Sequence, residues 1–194
     1  MPTGVALRDP REQLFAAAER ILLRAGPNAL TSRAVTDEAG VAKGVLHRHF
    51  ADFDAFLTEL VNDRIRRLDA DPLPASAGTG TVTGNVTAAL TRVFGPVAVG
   101  IVGLVTARDG LRARLRAAGL TGIPLLAQAT SMIAGYLAAE RELGRLAAGA
   151  DVDALALTLV GSAHMLFAGA DHPPAEQEVH RVVATVLAGV TPQA

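Results

Sequence analysis

The sequence predicts an all-α fold, and three observations carry that expectation. Half of the residues are hydrophobic but only 4% are aromatic, so Ala, Val and Leu must fill the core. Ala- and Leu-rich stretches of this kind favour helix. Nowhere do β-branched residues alternate with period two, the pattern of half-buried strands. Gly, Pro and Asp break the chain at helical lengths, as at Gly26-Pro27, Gly95-Pro96 and Asp109-Gly110.

Composition also excludes some classes of function. The absence of cysteine removes disulfides, thiolate metal sites and Cys nucleophiles. The start, MPTGVALRDPREQ, lacks the basic residues and long apolar run of a signal peptide. The longest apolar stretch, Pro96 to Ala107, is about twelve residues, too short to span a bilayer. A soluble, cytoplasmic protein with no membrane partner is expected. Net charge is −1, and residues 1–70 hold ten Lys/Arg and ten Asp/Glu. Such a balance argues against bulk electrostatic attraction to nucleic acid and leaves room for a few placed cations.

Residues 1–9 are expected to be a mobile lead-in. Arg8 and Arg11 either touch phosphate or are simply solvated. A first helix should run from Pro10 to Ala25. Proline suits its first position, and Leu14, Ala18, Ile21 and Ala25 fall on one face. Gly26-Pro27-Asn28 ends it. Thr31 is a natural N-cap for a second helix, Ser32–Ala39, with Val35 and Ala39 facing inward. Gly40 suits the left-handed conformation of a sharp turn, and Val41 plugs the space between helices. A third helix, Ala42–His49, would be anchored by Val45, Leu46 and Phe50. Its outward positions are Lys43, Gly44, His47 and Arg48. The fourth starts at Asp52, an N-cap, and reaches Asp69 with Phe53, Phe56, Leu57, Leu60 and Ile65 on one side. Arg64, Arg66 and Arg67 occupy its last turns, where cations suit the helix dipole.

Asp71 to Asn85 reads as a linker. Its GTGTVTG has the spacing G-x-G-x-x-x-G, with no strand before it and no Lys-Ser/Thr after it, so it does not read as a phosphate loop. Further helices are expected at Val86–Phe94, Val97–Ala107, Leu111–Ala118, Pro124–Leu143, Val152–Ala168 and Ala175–Ala188. The resulting division is a helix-turn-helix domain at 1–51, a connecting helix at 52–70, a linker at 71–85 and a helical domain at 86–194.

The stretch Leu30–Phe50, LTSRAVTDEAGVAKGVLHRHF, carries the functional signal. It holds the chain's only lysine, Lys43. An ordinary helical hairpin fits it, and so does a helix-turn-helix that presents the start of its second helix to base edges in the major groove. VAKGVLHRHF and LTSR resemble the N-terminal domain of the TetR family of transcriptional regulators. GRLAAGADVDALALTLVGS, residues 144–162, resembles the opening of that family's penultimate helix. The resemblance implies a three-helix DNA-binding domain followed by a helical ligand-binding and dimerisation domain. It implies that Thr31 and Ser32 hold phosphate, that Arg33 reads a base, and that Lys43, Gly44, Val45, His47 and Arg48 face the groove, with His49 near phosphate. Two positions depart from the family pattern. His47 stands where tyrosine is usual, and Phe53, flanked by Asp52 and Asp54, replaces a common lysine. Both lower the expected affinity.

Other constellations do not assemble. His47 and His49 are two apart on a helix and diverge, so no metal site is expected. Ser162 and His164 diverge likewise, and no G-x-S-x-G elbow accompanies them or Asp171. No catalytic residue and no cofactor is expected, and the protein is read as a non-enzyme.

Two stripes mark the last helices: Leu155, Leu159, Ser162 and Leu166, then Val179, Val182, Val183 and Val186. Each suits either the monomer's own core or a dimer interface. The resemblance implies the dimer, a four-helix bundle built from both copies. In the middle helices Phe94, Ile101, Leu104, Gln128, Met132, Tyr136, His164 and Phe167 stand among Ala and Gly. A filled core and a cavity with a few polar groups both fit. The resemblance implies a pocket within 86–168 for a small, largely apolar ligand. The resulting reading is a homodimeric, ligand-responsive regulator, a repressor at a palindromic double-stranded operator. The alternative is a helical small-molecule binder or enzyme that has lost DNA binding.

Overall fold

The computed structural model describes residues 9–170 and 172–191; the lead-in with Arg8, and Asp171, lie outside the described residues. Ten α-helices and no strands are present among them. They are α1 (Pro10–Ala25), α2 (Ser32–Ala39), α3 (Gly44–His49), α4 (Phe53–Asp69), α5 (Val82–Val93), α6 (Pro96–Ala107), α7 (Asp109–Ala117), α8 (Leu126–Glu142), α9 (Val152–Ala168) and α10 (Glu176–Leu187). No single helix is long and apolar enough to cross a membrane.

Local chemistry sets most of these boundaries. The Asp9 carboxylate accepts the Arg11 N–H at the start of α1, and Thr31 accepts the Ala34 N–H at the start of α2. Gly40 closes α2 at φ +67°, the left-handed region in which a side chain is strained. Four expected helix starts shift by two residues or more, among them α7, which begins at Asp109 instead of Leu111. The third helix begins at Gly44 rather than Ala42, after a tight turn in which Val45 N–H bonds to Ala42 O at 2.9 Å. Helix α5 begins at Val82, inside the expected linker, because Thr81 Oγ1 accepts the Gly84 N–H at 3.0 Å. Helix α8 begins at Leu126, after Leu125 at φ +72°, and the Gln128 side chain accepts the Leu125 N–H at 2.7 Å.

The chain forms two compact units. One comprises residues up to Asp63 together with Gly100–Leu120; the other comprises Arg64–Val99 and Thr121 onward. In the first, α1 packs on α2 and α3. Leu14, Ala18 and Ile21 are buried as expected, but Ala25 is exposed, and Phe15 and Leu22 complete the inward face instead. Ile101, Leu104, Leu111 and Leu115, from α6 and α7, are buried in the same unit.

In the second unit α8 packs on α9, and α10 packs on α5 and α9. One polar network runs through it. The Glu140 side chain is fully buried. Its Oε1 accepts the Gly78 N–H at 3.2 Å, and its Oε2 lies 3.0 Å from Arg145 Nε as an ion pair outside hydrogen-bond geometry. Arg145 also donates to Gly80 O at 2.6 Å, and Asn85 donates to the Tyr136 hydroxyl at 2.9 Å. Burial first, and then the neighbouring Glu140, push the Tyr136 hydroxyl up to about 12. The network fastens the 78–81 turn to α8. Removing Glu140 leaves the Gly78 N–H without its acceptor, so Glu140→Ala should cost about 1–3 kcal/mol. A urea midpoint unchanged by that substitution would rule out a structural role for the network.

Candidate nucleic-acid interface

The first unit carries the proposed reading residues at the start of α2 and along α3. Leu46 and Phe50 are buried and hold α3 from beneath. Phe50 sits among Phe15 of α1 and Phe56 of α4, with ring centroids 5.9 and 5.1 Å away. With its inner side fixed in this way, α3 presents its other side. Lys43, Gly44, His47 and Arg48 are exposed, and Val45 and His49 are half-buried. The side chains of Lys43, His47 and Arg48 make no hydrogen bond or ion pair among the described residues.

Glycine at position 44 is not required by the protein itself. Its φ is not in the left-handed region, and a Cβ built there would meet nothing within 4 Å. A bare backbone at the start of an exposed helix leaves room for close approach there.

At the start of α2, Thr31 is exposed and Ser32 is half-buried. Because the Thr31 hydroxyl oxygen accepts the Ala34 N–H at 3.1 Å, its own proton remains free to donate outward. Arg33 is exposed, with its Nε 3.5 Å from Asp37, and so is held only loosely. The nine residues expected at the interface therefore lie on α2, on α3 and at their caps, with their polar groups accessible.

Several acids of this unit are paired with arginines that are not on α3. Glu38 takes Arg20 at 2.7 Å and Arg24 at 2.8 Å, and Glu59 takes Arg11 at 3.2 Å. The Arg20 hydrogen bond, then that of Arg24, holds the Glu38 carboxyl below its ordinary value. Asp52 accepts the Ala55 N–H at 2.6 Å and lies 3.0 Å from Arg114 of α7. Its carboxyl is also held below the ordinary aspartate value, first by the Ala55 N–H and then by Arg114. Sequence reading missed this pairing, because Arg114 is 62 residues away. Nearby, Arg108 donates to Leu30 O at 2.7 Å, and its guanidinium lies 5.6 Å from the Phe53 ring centroid.

The second unit does not gather the eight expected pocket residues. Ile101 and Leu104 belong to the first unit and are fully buried there. Phe94, His164 and Phe167 form an aromatic group with centroids 6.1 Å apart, and Tyr136 is buried and bonded to Asn85. Gln128 and Met132 do line a cleft, of about 430 Å³, with Leu68, Pro74 and Ser131. A second cleft of about 270 Å³ lies between Arg64, Arg67, Leu68, Arg92, Val93 and Leu125. Asp71 clamps Arg92 through contacts of 3.0 and 2.9 Å.

The expected dimer stripes also divide. Leu159, Val179 and Val183 are buried within the unit's own core and cannot meet a partner. Leu155, Ser162, Leu166, Val182 and Val186 are half-buried. Beside them Leu157 is 65% and Met165 72% exposed, large apolar side chains that the sequence reading passed over. Leu157, Gly161, Ser162, Met165, Leu166 and Val182 line one broad, open depression. The accessible stripe is rotated about the α9 axis from the expected one, because Leu159 turns inward.

Residues 14–60 match the model of the family "Bacterial regulatory proteins, tetR family". No curated protein matches the chain. Several solved structures share the fold. Reduced NemR of E. coli is 19% identical, covers 96% of this chain and 100% of its own, and has a TM-score of 0.73. A TetR-family transcriptional regulator from Mesorhizobium loti is 17% identical, with 94% and 97% covered and a TM-score of 0.66. FadR of Bacillus subtilis, solved in complex with stearoyl-CoA, is 16% identical, with 92% and 98% covered and a TM-score of 0.65. At these identities the likeness concerns the fold.

Two expectations follow from the geometry. Gly44→Ala should leave stability unchanged or raise it by up to about 1 kcal/mol, since alanine is the better helix former, while weakening duplex binding. Equal binding by the variant would show that position 44 lies off the interface. In an NMR titration the Asp52 carboxyl should ionise below the usual aspartate range, so its contacts persist at neutral pH and are lost as pH falls through that lowered value. Arg114→Ala should move the transition upward, though not fully, since the Ala55 N–H remains.

Proposed function

We propose that the chain, whose residues 14–60 match the tetR-family model, is a TetR-type regulator: a cytoplasmic, ligand-responsive repressor that binds a palindromic operator as a homodimer. The observation that carries this reading is the α3 surface. The Lys43, His47 and Arg48 side chains are exposed and make no hydrogen bond or ion pair among the described residues, beside a glycine whose position a Cβ would fit without contact. In the proposed complex α3 enters the major groove, Arg33 makes a bidentate contact to guanine, and Thr31 and Ser32 hold phosphate.

The exposed apolar face of α9 and α10 supports a two-fold dimer, which would carry two reading heads to half-sites about 34–36 Å apart. The clefts beside Leu68 support a small ligand, and one protein of similar fold was solved with an acyl-CoA. Regulation is a population shift. A ligand that prefers one spacing of the two heads moves the equilibrium by no more than its differential affinity.

Duplex binding by the purified protein tests the reading directly. It should prefer the DNA upstream of its own gene over random sequence, and no preference at low salt would defeat it. Arg33→Ala should cost about 1–3 kcal/mol on the preferred site and relax one base position; an equal loss on random DNA would reduce Arg33 to a phosphate contact. Leu157→Glu alters an exposed side chain and so spares the fold. It should yield monomers by light scattering, and an intact dimer would move the interface elsewhere.

A further inference from the structure

We propose that α7 extends the DNA-contacting surface, with Arg114 passing from Asp52 to a backbone phosphate when the duplex binds. This rests on the DNA-binding reading above. The first support is charge. Residues up to Asp63 carry seven Lys/Arg against nine Asp/Glu, whereas Gly100–Leu120 carries four arginines against one aspartate. The unit that bears α3 is net acidic without the α6–α7 segment and net basic with it. A polyanion is attracted to the second arrangement.

The second support is position. Phe50 caps the C-terminus of α3, and Asp52 follows two residues later. The Arg114 guanidinium, 3.0 Å from the Asp52 carboxylate, therefore stands at the end of the reading helix although it comes from α7. Of its neighbours, Arg108 is committed to the Leu30 carbonyl and the Phe53 ring, and Arg112 pairs with Asp109. The buried Leu111 and Leu115 fix the face that α7 turns inward, and so hold Arg114 at that edge.

The third support is exchangeability. The Arg114 and Asp52 side chains are 43% and 51% exposed, so their ion pair is a weak surface contact. Asp52 does not lose its role when Arg114 leaves, because it still accepts the Ala55 N–H that starts α4. A guanidinium forks onto a phosphate as readily as onto a carboxylate. In the free protein Asp52 keeps the arginine extended beside α3; on DNA a phosphate takes its place.

The test compares variants of equal charge on a short random-sequence duplex, with anisotropy measured across a range of KCl. Each phosphate contact contributes about 0.9 to the slope of log affinity against log salt. Arg114→Gln should flatten the slope by about that amount and weaken low-salt binding several-fold, and Arg114→Lys should restore the slope. Arg116→Gln removes the same charge from the same helix and should leave the slope unchanged. Asp52→Asn should tighten binding. Equal effects from Arg114→Gln and Arg116→Gln, or no effect from Arg114→Gln, would overturn the inference while the unaltered protein still bound. Failure of the unaltered protein to bind any duplex at low salt would defeat the DNA-binding reading and this inference together.

Discussion

The reading surface depends on one aromatic contact. Four of the six phenylalanines, Phe15, Phe50, Phe53 and Phe56, form a single cluster in the first unit. Phe50 is its centre of gravity for function. It ends α3, meets Phe56 edge-on, and carries the Arg11 guanidinium 4.7 Å from its ring centroid. A helix of six residues is far too short to be stable alone. Its direction is set by Leu46 and Phe50 pressing into α1 and α4, and every exposed group on α3 inherits its orientation from them. In a chain otherwise filled with Ala, Val and Leu, concentrating large flat side chains here gives rigidity where placement matters most.

Charge is arranged to suit the same surface. A neutral chain has little long-range pull on a polyanion. Local contrast comes from acids that are neutralised by arginines of other helices: Glu38 with two arginines, Glu59 with Arg11, Asp52 with Arg114. The cations of α3 are left open to solvent. On the proposed reading, specific contacts would outweigh bulk attraction and favour recognition of a site over indiscriminate coating of DNA.

Where local rules decide the outcome, the sequence was legible. Pro10, Thr31 and Gly40 set α1 and α2 to the residue, and α9 spans the expected Val152–Ala168. The linker was misread at its end, because the glycines around Thr81 suggested a loop while its hydroxyl was capping a helix. The exposed side of α3 was readable from periodicity, since a single turn of spacing separates Leu46 from Phe50. The α9 and α10 stripes were not. An apolar residue at helical spacing does not say which of two apolar surroundings it meets, and Leu159, Val179 and Val183 went inward. Contacts across long sequence separations, such as Arg114 with Asp52 or Glu140 with Gly78, leave no local trace at all.

Lys43 has one further consequence. Every other Lys/Arg side chain in the protein is a guanidinium, so the only side-chain amine stands exposed at the entrance to α3. Acylation chemistry directed at side-chain amines has a single address in this molecule. Reaction there erases the positive charge and adds bulk beside Gly44, so the covalent reactivity of one nitrogen reports whether the reading surface is open or covered.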